Sequence, residues 1–260
     1  MHEFATETGS TRAWRALVRP FMQWALDFLP KCVSVSTVAP GIAARYEREF
    51  GVQPSVVPNC PGYRDDLKVR ATGTPIRIVH AGAAAPARAL DLSIEAVTKV
   101  NAEHPGALEL DLYLVPGSPA YIEQMRELAG DAAVSGVRLQ EPVEFSRLID
   151  VMHGYDVGLF FAPPVTYNLK HVLPNKFFEY VQARLGVIIG PSIEMGPYLD
   201  QYRFGAVTQG WGVEDLTGTL RGLTPQVVDE WKARSDAAAR ELSAEVASQV
   251  WVDSVNAMLG

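Results

Sequence analysis

The stretch "HVLPNKFFEYVQARLGVIIGP", residues 171–191, contains the local pattern on which the fold depends. A short amphipathic segment, "PNKFFEYVQAR", is followed directly by the apolar run "GVIIGP". Short, continuous apolar runs of this kind are typical of strands buried on both faces of a parallel sheet, because helices cover both faces. The stretch therefore predicts a helix over 174–184 and a buried strand over 186–191.

The same alternation of apolar runs and helical periods continues along most of the chain. The predicted strands are 33–37, 55–59, 76–82, 108–115, 137–142, 157–162, 186–191 and 205–209. The predicted helices are 38–50, 88–103, 118–129, 144–152, 174–184, 194–202 and 213–221, with a helical tail from about 225 to 259. Parallel strands need such intervening helices for right-handed crossovers. We therefore expect an α/β fold with a doubly wound parallel sheet.

One stretch between the predicted strands has the composition of a linker. Residues 60–75, "CPGYRDDLKVRATGTP", are rich in proline, glycine and charge. We therefore expect three segments, with residues 1–60 as a partial amino-terminal segment, 61–225 as a complete nucleotide-binding type of domain, and 226–260 as a helical tail. The first segment has only two predicted strands, which cannot close a core of their own.

The composition limits the classes of partner and the compartment. Of the 260 residues, 48% are hydrophobic and 20% are charged, as in ordinary soluble proteins. The formal charge of −7 argues against a nucleic-acid surface, which needs a basic stripe. Small molecules are the expected partners. Cys32 and Cys60 have no paired spacing and no signal peptide precedes them, so we interpret both as packing residues of a cytoplasmic protein.

Residues 13–29, "AWRALVRPFMQWALDFL", form the most apolar stretch of the amino-terminal segment. Arg15, Arg19 and Pro20 interrupt it, and it falls short of the roughly twenty apolar residues that span a bilayer. The spacing predicts an amphipathic helix with a broad apolar face. That face packs against protein or, alternatively, makes a peripheral contact with a membrane surface.

Ligands of doubly wound sheets bind beyond the carboxyl ends of the strands. In "HAGAAAPARALDLSIEAV", residues 80–97, a strand ends at Gly82, small residues follow, and Arg88 opens the predicted helix. Small residues let a ligand approach the backbone, and a helix start with a nearby cation suits phosphate. A tight turn with a solvent-facing arginine explains the same residues equally well.

The opening stretch carries a second candidate site. Pro174 fits the first helical turn, and Asn175 and Lys176 lie where backbone N–H groups are unpaired. These N–H groups and the lysine favour an anion, and the carboxylate of Glu179 can accept two hydroxyl donors such as those of a ribose. Phosphate and ribose together indicate a nucleotide. The alternative is that Lys176 and Glu179 are solvated on an otherwise buried helix.

Four segments resemble a known family in their order and spacing. They are "SVSTVAPGIAARYEREFGVQPSVVPN" (34–59), "IRIVHAGAAAPARALDLSIEAV" (76–97), "YDVGLFFAP" (155–163) and "LPNKFFEYVQARLGVIIGP" (173–191). They resemble the carboxyl-terminal half of GT-B glycosyltransferases, most of all the retaining, family-four-like type that transfers sugars from nucleotide donors. "LPNKFFEY" is the most specific element. The resemblance implies a Rossmann-like domain that binds the donor.

The resemblance also implies roles for individual residues. The loop after Gly82 approaches the diphosphate, Arg88 neutralises it, residues 171–176 present N–H groups to the distal phosphate and sugar, and Glu179 holds the ribose. The loop after Pro142 borders the base. The residues that the resemblance places at the donor are Gly82, Ala83, Arg88, Pro142, Val143, Val172, Leu173, Asn175, Lys176 and Glu179.

The implied reaction is displacement at the anomeric carbon of the sugar, with the nucleoside diphosphate leaving. Negative charge builds on that leaving group, and fixed cations stabilise it. The implied catalytic residues are Arg88, Lys176 and His171. The resemblance implies no metal or cofactor besides the nucleotide-sugar co-substrate, because Arg88, Lys176 and the helix end take the place of a metal. The lack of a DxD motif and of His/Cys ligand spacing agrees with this expectation. Most of the other histidines are interpreted as surface or core residues.

The chain departs from the family pattern at three places. Many members have a glutamate eight residues before the ribose-binding glutamate, where this chain has His171. An arginine frequently follows the loop glycine, where this chain has Ala83. The usual "AG-x-P" is replaced by "ARLG", which includes Arg184 and Gly186, and this replacement predicts a changed turn beneath the sugar.

A complete GT-B enzyme has two Rossmann-like domains that face a cleft. The start "MHEF" matches a point well inside the first of these domains, so we expect most of an acceptor domain to be missing. Helix 13–29 and the tail would then expose apolar surface, and exposed patches of this kind usually bind a partner. We therefore expect a homo-oligomer or a complementary polypeptide.

Two other functions remain open from the sequence. One is a non-catalytic nucleotide-sugar-binding relative that acts as a partner or regulatory subunit. The other is a nucleotide-sugar epimerase, which needs acid and base residues at the sugar carbon, for which His171 and Glu194 are the candidates. The nucleotide, the sugar, the acceptor and the pathway are not specified by the sequence.

Overall fold

The computed structural model describes residues 3–9, 11–115 and 117–259. Five positions lie outside the described residues, among them the first two residues of "MHEF" and the last residue of the predicted tail 226–260. They are Met1, His2, Ser10, Pro116 and Gly260.

A parallel sheet of six strands forms the centre of the described structure, as predicted. The strands are β1 (Ser36–Thr37), β2 (Ser55–Val56), β3 (Ile76–Ala83), β4 (Leu108–Val115), β5 (Val137–Gln140), β6 (Val157–Phe160), β7 (Gly186–Ile189) and β8 (Gly205–Val207). The six-stranded sheet has the order β5-β4-β3-β6-β7-β8, and β1 pairs with β2 in a separate small parallel sheet. The chain therefore reverses its direction of winding between β3 and β6, which is the switch point where doubly wound sheets bind ligands.

The helices lie between the strands and at both ends of the chain. They are α1 (Arg19–Leu26), α2 (Pro40–Phe50), α3 (Leu90–Glu103), α4 (Pro119–Ala129), α5 (Ala132–Ser135), α6 (Leu148–Met152), α7 (Tyr167–Lys170), α8 (Asn175–Gln182), α9 (Gly196–Tyr202), α10 (Val213–Arg221), α11 (Pro225–Ala238), α12 (Ala244–Ala247) and α13 (Gln249–Leu259). Single 3₁₀ turns occupy Ala5–Glu7, Leu29–Lys31, Pro86–Arg88 and Phe145–Arg147, and a π-helical turn occupies Trp14–Val18.

Two boundaries differ from the prediction in ways that affect the site. The helix predicted from residue 88 begins at Leu90, because Ala89 has a left-handed φ of 48° and separates it from the 3₁₀ turn that ends at Arg88. The strand predicted over 137–142 ends at Gln140, so Pro142 and Val143 lie in the loop that follows it.

Apolar side chains cover both faces of the sheet, as the continuous apolar runs predict. All four residues of β6 and of β7 are buried. On β3 the successive residues Ile78 and Val79 point to opposite faces and belong to different core clusters. One cluster includes residues of α3, α4 and α10, and the other includes residues of α2, α6, α8 and α9.

The amino-terminal segment packs on the main sheet through the second of these clusters. Ile42 and Tyr46 of α2 are fully buried in the cluster that also contains Phe177 of α8. The stretch predicted as a linker is also held in place, because the N–H group of Arg64 donates to Gln182 Oε1 at 3.1 Å. The N–H group of Thr72 donates to a carboxylate on α11.

The altered "ARLG" turn is a structural junction away from the sheet's carboxyl edge. Arg184 has a φ of 63° and a side chain that is only 1% exposed. Its guanidinium donates to Asp236 at 2.6 Å and to the carbonyl oxygens of Gln182 and Arg64. This arginine therefore joins the end of α8 to α11 and to the residue 60–75 stretch, and its buried guanidinium is hydrogen-bonded to all three.

Two apolar surfaces are left uncovered by the described residues. Leu17, Phe21 and Trp24 are 73%, 62% and 58% exposed, as expected for the apolar face of residues 13–29, and Trp251 and Val255 of α13 are each 51% exposed. Within residues 3–9, 11–115 and 117–259, no helix combines the length and the apolar character that crossing a membrane requires.

The two cysteines differ in their surroundings. Both are free thiols, and Cys60 packs at the edge of the core, as predicted. Cys32 is exposed, so its interpretation as a packing residue is wrong. It follows Leu29–Lys31 in a surface segment.

Candidate functional site

A cavity of about 280 Å³ opens at the carboxyl ends of β3 and β6, at the switch point of the sheet. Several of the residues predicted at the donor line it. They are Gly82, Ala83, Arg88, His171, Val172, Leu173, Asn175 and Lys176. Three predicted residues do not line it, namely Pro142, Val143 and Glu179. The fold thus brings together two loops that are separated by about 90 residues of sequence.

Arg88 provides the strongest indication of a ligand. Its guanidinium carbon lies 5.5 Å from the centre of the Phe160 ring, and its Nη1 atom is buried with no hydrogen-bond partner among the described residues. Burial lowers the pKa of Arg88, and the nearby charge of Glu3 opposes this change. Arginine stays charged in proteins, so the unpaired, buried N–H group is costly until an acceptor reaches it. An anion in the cavity is such an acceptor.

Lys176 and Glu179 form an ion pair on one side of α8. Lys176 Nζ lies 2.9 Å from Glu179 Oε2, and the carboxylate side chain is only 2% exposed. Neither oxygen of Glu179 accepts a hydrogen bond from a described residue, so the contact is an electrostatic one without hydrogen-bond geometry. Glu179 therefore lies beneath the lysine that lines the cavity. Its interpretation as a solvated residue is wrong.

The amino-terminal end of α8 faces the same cavity. Pro174 has an extended conformation and lies immediately before the helix rather than inside its first turn. Asn175 and Lys176 are the first helical residues, and the side chain of Asn59 donates to Asn175 Oδ1 at 2.8 Å. The first N–H groups of a helix have no partner within it, and they carry partial positive charge. This end of α8 adds to the attraction of the cavity for an anion.

His171 is held by a carboxylate from a different loop. Its Nδ1 atom donates to Glu194 Oε1 at 2.7 Å, and the same oxygen accepts the N–H group of Gly41 at 3.0 Å. The ring of Tyr167 packs 4.5 Å from the imidazole, and its hydroxyl donates to the carbonyl oxygen of Gly41. This arrangement fixes the ring and leaves Nε2 as the nitrogen with no partner among the described residues.

The structure also adds residues to the cavity that the sequence analysis did not assign to it. They are Glu3, Val38, His80, Ala81, Phe160 and Asn168, and Pro174 of the predicted stretch 171–176 lines it as well. His80 was interpreted as a surface or core residue, yet it is a polar side chain near the carboxyl end of an apolar strand. A polar residue at that position is the sequence feature that could have assigned His80 to the site, because ligands bind at this edge of a doubly wound sheet.

Comparisons with known proteins place the chain by its fold. No protein-family model matches the sequence, and no curated protein matches it. Among solved structures, a variant of S. aureus TarM in complex with UDP is 12% identical, with a TM-score of 0.74 over 90% of this chain and 46% of the other. The pneumococcal O-GlcNAc transferase GtfA in complex with UDP and GlcNAc is 13% identical, with a TM-score of 0.69 over 92% of this chain and 48% of the other.

A third similar structure is WaaG, a glycosyltransferase involved in lipopolysaccharide biosynthesis. It is 16% identical, with a TM-score of 0.62 over 81% of this chain and 60% of the other. The chain therefore spans about half the length of the structures with which it aligns over most of its residues. At this level of identity the likeness concerns the fold. The chain has the Rossmann-like α/β fold of GT-B glycosyltransferases.

Proposed function

We propose that this chain binds a nucleotide-sugar donor and takes part in transferring its sugar to an acceptor. The observation that carries the proposal is the buried, unpaired Nη1 of Arg88 in a cavity that Lys176 and the start of α8 also line. An oxygen of a diphosphate at the switch point would give this N–H group an acceptor and would be attracted by both cations. The TarM and GtfA structures were solved with UDP, which makes UDP the first nucleotide to test.

The proposed chemistry is retaining and independent of metal. As the bond to the anomeric carbon breaks, negative charge develops on the departing diphosphate. Arg88, Lys176 and the first N–H groups of α8 stabilise that charge because they are already oriented and need no reorganisation. His171 lies on the same cavity with Nδ1 held by Glu194, so its Nε2 is available to the donor.

We also propose a partner for the exposed apolar surface of the chain. The apolar faces of residues 13–29 and of α13 have no cover among the described residues. Because such apolar patches usually bind a partner, we propose that a second copy or a complementary polypeptide covers them. The structure of a GtfA/B complex is among the similar structures.

Calorimetric titration with UDP, GDP, dTDP and ADP tests the donor site. We expect the wild-type protein to bind one of these nucleotides, and Arg88→Ala to weaken that binding by about 10-fold to 100-fold, the usual cost of a hydrogen bond to a charged group. Arg126→Ala is the matched control, because Arg126 is an exposed arginine that pairs with Glu123 on α4.

Equal affinities for wild type and Arg88→Ala would refute the proposed site. Binding that is not followed by hydrolysis or transfer of the sugar, even with a partner polypeptide present, would identify a non-catalytic relative. An altered sugar on a nucleotide that stays intact would identify an epimerase. The last two results are read by incubating the protein with a sugar donor of the nucleotide that binds and separating the products by chromatography.

A further inference from the structure

His80 is a cavity residue to which the proposed function gives no task. It lies on β3, is only 5% exposed, and stacks against Phe160 with ring centres 6.5 Å apart. It lines the same cavity as Arg88 and Lys176. A histidine this deeply buried between two strands needs partners for both of its ring nitrogens.

One nitrogen has a partner that determines the tautomer. Nδ1 lies 3.0 Å from the carbonyl oxygen of Leu159, which can only accept, so Nδ1 carries the hydrogen. Burial lowers the pKa of His80 to about 4, and the positive charges of Arg88 and Lys176 contribute to the shift. The ring is therefore neutral at pH 7, and its Nε2 atom is an acceptor that has a lone pair and no hydrogen.

The other nitrogen has no partner. Nε2 is buried and makes no hydrogen bond to any described residue. Leaving a buried acceptor unpaired costs more than a hydrogen bond is usually worth in water. A hydrogen-bond donor that reaches Nε2 from the cavity therefore removes an energetic penalty that the folded protein otherwise carries.

The backbone beside His80 leaves room for such a donor. Gly82 lies two residues further along β3, so its missing side chain would point to the same face of the sheet as the imidazole. A Cβ atom at Gly82 would lie 3.3 Å from His80 Nε2. Both residues line the cavity, so a ligand group that packs on the bare backbone of Gly82 lies beside the edge of the ring that carries Nε2.

The chemistry of Nε2 selects the part of the ligand that it meets. An ionised phosphate oxygen has only lone pairs, so it cannot pair with Nε2, whereas a hydroxyl can donate to it. On the basis of the proposed function, we infer that His80 Nε2 accepts a hydrogen bond from a hydroxyl of the donor, on its sugar or its ribose, while Arg88 and Lys176 hold the diphosphate. His80 thus determines specificity for a ligand that carries hydroxyl groups close to its phosphates.

Three probes that differ in their hydroxyl groups test this inference. Inorganic pyrophosphate has no hydroxyl group on carbon, UDP adds those of the ribose, and UDP-GlcNAc adds those of a sugar. Their affinities are measured by calorimetry for wild type, His80→Phe and His80→Gln. Phenylalanine keeps the ring stacked on Phe160 without a nitrogen, and the side-chain amide of glutamine reaches about as far as Nε2.

We expect the affinity of His80→Phe for pyrophosphate to lie within about twofold of the wild-type affinity. Its affinity for a probe that carries the hydroxyl bound by Nε2 is expected to be about fivefold to tenfold lower than that of wild type. Loss for UDP and UDP-GlcNAc assigns the hydroxyl to the ribose, and loss for UDP-GlcNAc alone assigns it to the sugar. His80→Gln is expected to recover part of the loss, because it restores an acceptor.

Other outcomes overturn the inference. Unchanged affinities in His80→Phe for all probes that wild type binds would refute it and leave the proposed function intact. An equal loss of affinity for all three probes would show that His80 supports the fold of the cavity. Variants that are unfolded at the temperature of the titration would show the same. If the titration identifies GDP, dTDP or ADP instead of UDP, that nucleotide and its sugar replace the second and third probes. A wild-type protein that binds none of the four nucleotides would refute the nucleotide-sugar function and this inference with it.

Discussion

Acidification is expected to destabilise the protein through His80. Burial lowers the pKa of this histidine to about 4, from 6.5 for a free side chain, so the unfolded chain binds a proton more readily than the folded protein does. The stability that depends on neutral His80 is therefore fully present above pH 6.5, and it is lost as the pH falls toward 4. Between pH 7.5 and pH 5 the expected loss is about 2 kcal/mol in the free energy of unfolding.

The assay is urea unfolding of wild type and His80→Phe at pH 7.5 and at pH 5, with the free energy of unfolding taken from the midpoint and slope. All other titrating groups are shared by the two proteins, so the difference between their pH dependences isolates residue 80. Wild type is expected to lose about 2 kcal/mol more than the variant on acidification. Equal losses of unfolding free energy in the two proteins would show that burial does not keep the imidazole of His80 neutral. The assignment of a lone pair to Nε2 would then fail as well.

Two further predictions concern packing and assembly. Gly158→Ala is expected to destabilise the protein by about 1–3 kcal/mol, because a Cβ atom at Gly158 would lie 2.2 Å from the Tyr180 ring. Gly218→Ala is expected to stabilise by up to about 1 kcal/mol, because Gly218 is at an exposed position of helix α10 with open space around it. Thermal melts of both variants check this pair, and equal shifts would contradict the close packing of β6 on α8. Light scattering is expected to give a mass above the 28.4 kDa of one chain, or a shift to a larger mass with a complementary polypeptide. A strictly monomeric chain that binds no such polypeptide would leave the exposed faces of residues 13–29 and of α13 without their proposed role.

The candidate site could be predicted in part because two of its loops carry local signals. Small residues after β3 and the "PNK" start of α8 both indicate an anion site by their composition, and the fold places them on one cavity. The structure also puts Glu179 beneath Lys176, although its position on the helix is compatible with exposure. A helical period shows which residues share a face, but it does not show how deeply a given charged residue is buried.

No local sequence pattern predicts the hydrogen bonds of the two cavity histidines, His80 and His171. His171 and Glu194 are separated by 23 positions and come from loops after different strands. The imidazole of His80 meets the carbonyl oxygen of Leu159, 79 positions away, because β3 and β6 are neighbours at the switch point. These contacts depend on strand order, and sequence spacing carries little information about the order of parallel strands.

The sequence by itself determined the layers of this protein, because hydrophobic burial has a period that can be read locally. Continuous apolar runs predict strands covered on both faces, and amphipathic segments predict the helices that cover them. Only the tertiary structure decided which polar atoms lack a partner, such as Arg88 Nη1 and His80 Nε2. Whether a buried polar atom is paired depends on every element packed around it, and those elements come from distant parts of the chain.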